Sequence, residues 1–144
     1  MLKVFLFLSL VATASSLVVH VAAFFGRTFP YAVLLHVGIF LVFIPAMLVA
    51  RPPGRALMSR VSFNDAFRGA PTWVRKTVKV FFAYAIVNFI VFIINAPGKP
   101  PPGPMTPQDV RGFSGHWMLF YTASAAMFLA ALNRARDADR MPGT

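Results

Sequence analysis

Residues 4–26 read VFLFLSLVATASSLVVHVAAFFG and residues 28–50 read TFPYAVLLHVGIFLVFIPAMLVA, 23 uncharged positions each, divided only by Arg27. Two more gaps of the same kind follow: 19 residues between Lys79 and Lys99, and 22 between Arg111 and Arg134. A helix needs roughly 20 apolar residues to cross the hydrocarbon core of a bilayer. The spacing therefore predicts four transmembrane helices, at about 4–26, 29–50, 73–95 and 111–133, within one domain covering 1–144. The fold class is all-α, an integral membrane four-helix bundle. Composition agrees: 58% of the 144 residues are hydrophobic and 12% charged, against about 45–50% and 25% for soluble domains.

The connectors carry their own signals. Gly26-Arg27-Thr28-Phe29-Pro30 reads as a tight turn, which makes the first two helices antiparallel neighbours. A basic loop occupies 51–72. Within it Ser62 and Asp65 have capping-box spacing, so a short helix should run from about 63 to 68 and end at Gly69. Phe63 and Phe67 would share one face of it, lying on the membrane surface or packing against the bundle. Residues 96–107 hold six prolines and favour an extended path. Thr106, Pro107 and Asp109 then place an N-cap, a first-turn proline and an acidic N3, so the last helix can start above the membrane near 107. Lys3 followed by an apolar run and Val21-Ala22-Ala23 has features of a cleavable signal; the apolar run is long for one, and the first helix is expected to be retained.

Fourteen Lys and Arg against four Asp and no Glu give a net charge of +10. With the N-terminus inside, eleven cations (Lys3, Arg51, Arg55, Arg60, Arg68, Arg75, Lys76, Lys79, Arg134, Arg136, Arg140) fall on one side and Arg27, Lys99 and Arg111 on the other. By the positive-inside rule both termini are then cytoplasmic, which suits a bacterial inner membrane. The basic surplus reads as a topology signal and a contact for anionic lipid headgroups, with no nucleic-acid partner expected. Trp73, Phe29, Tyr31 and Trp117 suit the interfacial belts at the two ends of the spans.

Polar groups within a span are costly and are the places to look for function. His20 lies six residues before Gly26, His36 six after Pro30, His116 four after Gly112, and Asn88 seven before Asn95. At 1.5 Å per residue all four fall roughly 6–10 Å below the same face, one from each helix. Ser9, Thr13, Ser16 and His20 share a stripe on the first helix, and Thr77, Tyr84, Asn88 and Asn95 one on the third. Such stripes should face the interior, since lipid offers no hydrogen bonds. His36 heads an apolar stripe of Phe40, Phe43 and Met47, which leaves its orientation open. Gly112, Gly115, Ala126 and Ala130 form a small-residue face on the last helix that permits close approach.

Three functional readings follow. His20, His36 and His116, with Asn88 as a supporting hydrogen-bond partner, could hold haem b, with Arg27, Lys99 or Arg111 near its propionates, or bind zinc or copper. The layer could instead be a quinone or lipid-headgroup pocket. In the third reading each polar side chain simply pins a neighbouring helix. The spans contain no Asp or Glu and the chain no Cys, so carboxylate-coupled transport and thiolate chemistry are excluded, and no nucleophile or phosphate-loop motif is present. Ser114 and His116 are unsuited to act as a couple, since successive helix positions point about 100° apart. The expectation is a non-enzymatic accessory or scaffold subunit, in contact with a larger membrane protein or with copies of itself; the haem or metal module is the alternative.

Overall fold

A computed structural model describes residues 1–51, 62–95 and 105–140. Of the described residues 85% are helical and none lies in a strand. The helices are α1 (Leu2–Phe24), α2 (Ala32–Val49), α3 (Phe63–Ala66), α4 (Thr72–Asn95) and α5 (Pro107–Arg140). All but α3 are long and apolar enough to cross a membrane. The core of the basic loop, 52–61, and most of the proline-rich segment, 96–104, lie outside the described residues.

The helix ends follow from local chemistry. Gly26, with φ +71°, sits just past α1; its amide reaches Ala23 O at 3.2 Å and that of Arg27 reaches Ala22 O at 3.0 Å. These two bonds make a Schellman motif, which needs a left-handed residue and satisfies carbonyls left over at the helix end. Before α3, Asp65 N donates to Ser62 Oγ at 3.1 Å, the expected cap. Before α5 the box is reciprocal: Asp109 N donates to Thr106 Oγ1 at 3.2 Å, and Thr106 N to Asp109 Oδ2 at 2.9 Å. Pro107 opens the helix, where its missing N–H costs nothing. The 34 residues of α5 extend about 51 Å, well beyond a 30 Å hydrocarbon core.

The packing differs from a symmetric bundle. Helix α5 is the hub: α1, α4 and α2 all pack chiefly on it, and α1 and α2 meet over a smaller area despite the tight turn between them. Of the apolar span within α5, 67% is buried, against 11% for that of α4. The most enclosed helix is also the least apolar of the four, while α4 turns Val80, Phe82, Val87 and Ile94 outward. Lipid is as apolar as leucine, so close packing of small residues and hydrogen bonds hold such helices together. Gly112, Gly115, Ala126 and Ala130 are accordingly buried. A Cβ on Gly112 would stand 2.5 Å from the Phe92 ring, so only glycine lets α4 this close.

Contacts at both ends set the helix directions. His20 meets Ser114 while Phe5 stacks on Phe128 at 5.4 Å, so α1 runs antiparallel to α5. Phe43 meets Phe120 at 4.9 Å and Val49 O accepts from Arg134 at 3.3 Å, so α2 runs parallel to it. Gln108 donates to Asn95 O at 2.8 Å and Phe89 meets His116 at 4.8 Å, so α4 is antiparallel again. Lys3, Arg51, Arg68, Arg75, Lys76, Lys79, Arg134, Arg136 and Arg140 therefore gather at one end, and Arg27 and Arg111 at the other.

That basic end is knit by side chains of the last turns of α5. Asn133 donates to Gly69 O at 2.9 Å, and Arg134 to Arg68 O at 2.5 Å as well as to Val49 O. Arg134 thus caps the carbonyl end of α2, a favourable place for a cation. Gly69, at φ +94°, has no room for a side chain: a Cβ would lie 2.9 Å from Ala130 O. Phe67 is buried, so α3 packs against the bundle, while Phe63 stays exposed beneath Lys79 Nζ, 5.3 Å from its ring.

Candidate functional site

His20, His36 and Asn88 all meet the first turns of α5, between Arg111 and Trp117, where His116 itself lies, whereas Ser9, Thr13, Ser16, Thr77 and Asn95 bond to carbonyls of their own helices. His20, buried on α1, lies between α5 and α4. The Ser114 hydroxyl donates to Arg111 O at 3.2 Å, which leaves its oxygen to accept from His20 Nδ1–H at 2.6 Å. His20 Nε2 then accepts from the Tyr84 hydroxyl. In this assignment every donor from Tyr84 to the Arg111 carbonyl is used and the imidazole is neutral. The ring also meets Phe24 edge-on at 5.0 Å, and Arg111 lies over the Phe24 ring, 5.2 Å from its centroid. One chain of hydrogen bonds thus joins α4, α1 and α5.

Asn88 reaches α5 directly. Its amide donates to Arg111 O at 2.8 Å and Gly112 O at 3.0 Å, and to no histidine. It binds backbone, in place of the supporting role beside an imidazole expected for it. A Cβ on Gly115 would stand 2.9 Å from its Nδ2, so the glycine face is what lets the amide in.

On the α2 side two aromatic residues of α5 act as donors. Trp117 Nε1 donates to His36 Nδ1 at 3.2 Å, and the Tyr121 hydroxyl to Leu35 O at 2.7 Å. Gly38 leaves space for that hydroxyl, which would collide with a Cβ there. Trp117 is 0% exposed, a correction to its assignment to an interfacial belt. A buried indole N–H needs an acceptor, and His36 supplies it. Trp73 at 68% exposure and Tyr31 at 75% keep the outward placement expected of them. His36 itself lies on the exposed surface of α2, its ring edge-on to Phe113 at 6.1 Å.

His116 stands apart from both. It is half-buried against Phe89, and its Nδ1 is buried without a hydrogen-bond partner. The three histidines therefore share a depth and a hub helix while each faces a different neighbour. Among the described residues no group of three or more His, Asp or Glu is disposed to hold a metal ion. A metal-bound imidazole needs a free ring nitrogen, and His20 has both engaged by hydroxyls.

The sequence reading weighed Ser114 only against His116 and missed its pairing with His20 on another helix, as it missed that of Tyr84 with the same ring. A signal for Ser114 exists: it lies four residues before Met118 and seven before Tyr121, on one buried stripe of α5. No protein-family model matches the chain, and neither a curated protein nor a solved structure matches it.

Proposed function

We propose that this chain is a non-enzymatic accessory or scaffold subunit of a bacterial inner membrane, with both termini in the cytoplasm. One observation carries the reading: apart from the His116 imidazole, the hydroxyl, amide, indole and imidazole groups of the polar layer are spent on one another and on backbone carbonyls. Tyr84, His20, Ser114, Asn88, Trp117 and Tyr121 bind protein groups, the arrangement of a layer that holds helices in register. Buried networks of this kind favour a single packing when all their members are satisfied. The outward apolar surfaces of α2 and α4 supply contact area for lipid and for a larger membrane protein or a second copy. The clustered cations at one end support the cytoplasmic assignment of that end.

Co-purification tests the scaffold role. A tagged chain extracted in mild detergent should bring down a defined membrane protein or a self-associated species, and a monomer alone would sink the proposal. Reporter fusions test the orientation. A fusion after residue 140 should report from the cytoplasm and one within 100–104 from the opposite side.

The alternative, a haem b or metal module, draws on His116 and His36, the first with a buried unpartnered Nδ1 and the second exposed. A reduced-minus-oxidised visible spectrum and metal analysis of the purified protein decide it. Haem bands, or a stoichiometric metal lost in His116→Ala, would displace the scaffold reading.

A further inference from the structure

Between α1 and α4, over the floor of α5, runs an apolar groove of about 250 Å³. It opens at Leu6, Trp73 and Leu129, near the basic end, and runs inward to Leu10, Thr77 and Thr122. From Leu129 to Thr122 is seven residues, roughly 10 Å along α5. It stops short of the point where His20 and Tyr84 join α1 to α4. Its length thus fits within one leaflet, about 15 Å of hydrocarbon, and is far short of the roughly 30 Å that a partner helix would occupy. The hydroxyl of Thr77 is turned to Trp73 O at 3.0 Å, so this wall offers the groove carbon alone.

The mouth has a different character. Lys3 is three residues before Leu6, on the groove-facing side of α1 and just outward of the mouth. It is exposed, with a stem long enough to reach the headgroup level. Trp73, on the α4 wall of the mouth, is the residue type that settles at that level. Asp137 and Asp139, the acids following on α5, lie a further 12–15 Å or so past Leu129.

We propose that this groove is a binding site for one anionic glycerophospholipid of the leaflet at the basic end, an acyl chain lying along α5 and the phosphate at Lys3. The inference rests on the membrane-spanning reading of the helices and is independent of any protein partner.

The test is native mass spectrometry of the full chain in mild detergent, offered equal amounts of phosphatidylglycerol and phosphatidylcholine with the same acyl chains. The wild type should retain one phosphatidylglycerol in preference, by about fivefold for the single lysine engaged. Lys3→Gln should bring the two lipids to parity without abolishing binding. Ala125→Leu, which fills the floor of the groove, should lower retention of both. Leu10→Trp fills it from α1 and serves if Ala125→Leu fails to fold. Equal retention of the two lipids by the wild type, unchanged retention in the filled variant, or a second copy bound in place of lipid would overturn the proposal. Failure to find a protein partner would bear on the scaffold reading alone.

Discussion

Removing the His20 imidazole tests whether the polar layer holds the helices. His20→Leu preserves much of the volume and deletes two interhelical hydrogen bonds, to Ser114 and to Tyr84. Such bonds average about 0.6 kcal/mol in membrane proteins and reach about 1.7 kcal/mol, because the separated helices find other partners. The substitution should therefore cost about 1.2 kcal/mol from hydrogen bonding, roughly an eightfold change in the folding equilibrium. Ser114 keeps its bond to Arg111 O, so the stranded group is the Tyr84 hydroxyl. A double-mutant cycle isolates that arm. Tyr84→Phe alone should cost about 0.6 kcal/mol. Added to His20→Leu it should cost nothing further, since the bond it removes is already gone. The assay is reversible unfolding in mixed micelles, followed by helical circular dichroism. Strict additivity of the two substitutions would refute the network, and would return a free imidazole nitrogen to the ligand-binding alternative.

Four other outcomes follow from the packing. Gly69→Ala should lower the unfolding midpoint by about 1–3 kcal/mol in stability, because φ is +94° and the Ala130 carbonyl is already in the way. Gly112→Ala should cost about 1–3 kcal/mol by overpacking against Phe92, with part of the loss recovered in the pair Gly112→Ala, Phe92→Ala. Trp117→Phe should cost about 0.5–1.5 kcal/mol and remove the blue-shifted part of the tryptophan emission, leaving the exposed Trp73; an unchanged spectrum would contradict the buried placement. Thr122→Val should stabilise the protein by about 1 kcal/mol, since the hydroxyl it replaces is buried with no partner.

The spans were legible because their signal is one-dimensional. Charge-free runs mark Leu2–Phe24, Ala32–Val49, Thr72–Asn95 and the apolar part of Pro107–Arg140 within a few residues. The caps at Ser62 and Thr106 and the turn at Gly26 were legible for the same reason, as each is settled by three or four consecutive residues. The polar layer was legible in depth, because 1.5 Å per residue converts sequence position into height. Its partners were not, because height says nothing about rotation or about which helix stands alongside.

Sequence alone therefore determined four apolar helices, their ends, and a common level for His20, His36, Asn88 and His116. The tertiary structure decided that α5 is the hub, that Trp117 turns inward to His36, that His20 binds Ser114 and Tyr84, and that Arg134 caps α2. The physical reason is the solvent. In water an apolar stripe marks the buried face of a helix, whereas beside lipid every face of α2 or α4 can be apolar. What selects the buried face is then small residues and hydrogen-bond geometry, and those are defined only once the helices stand against one another.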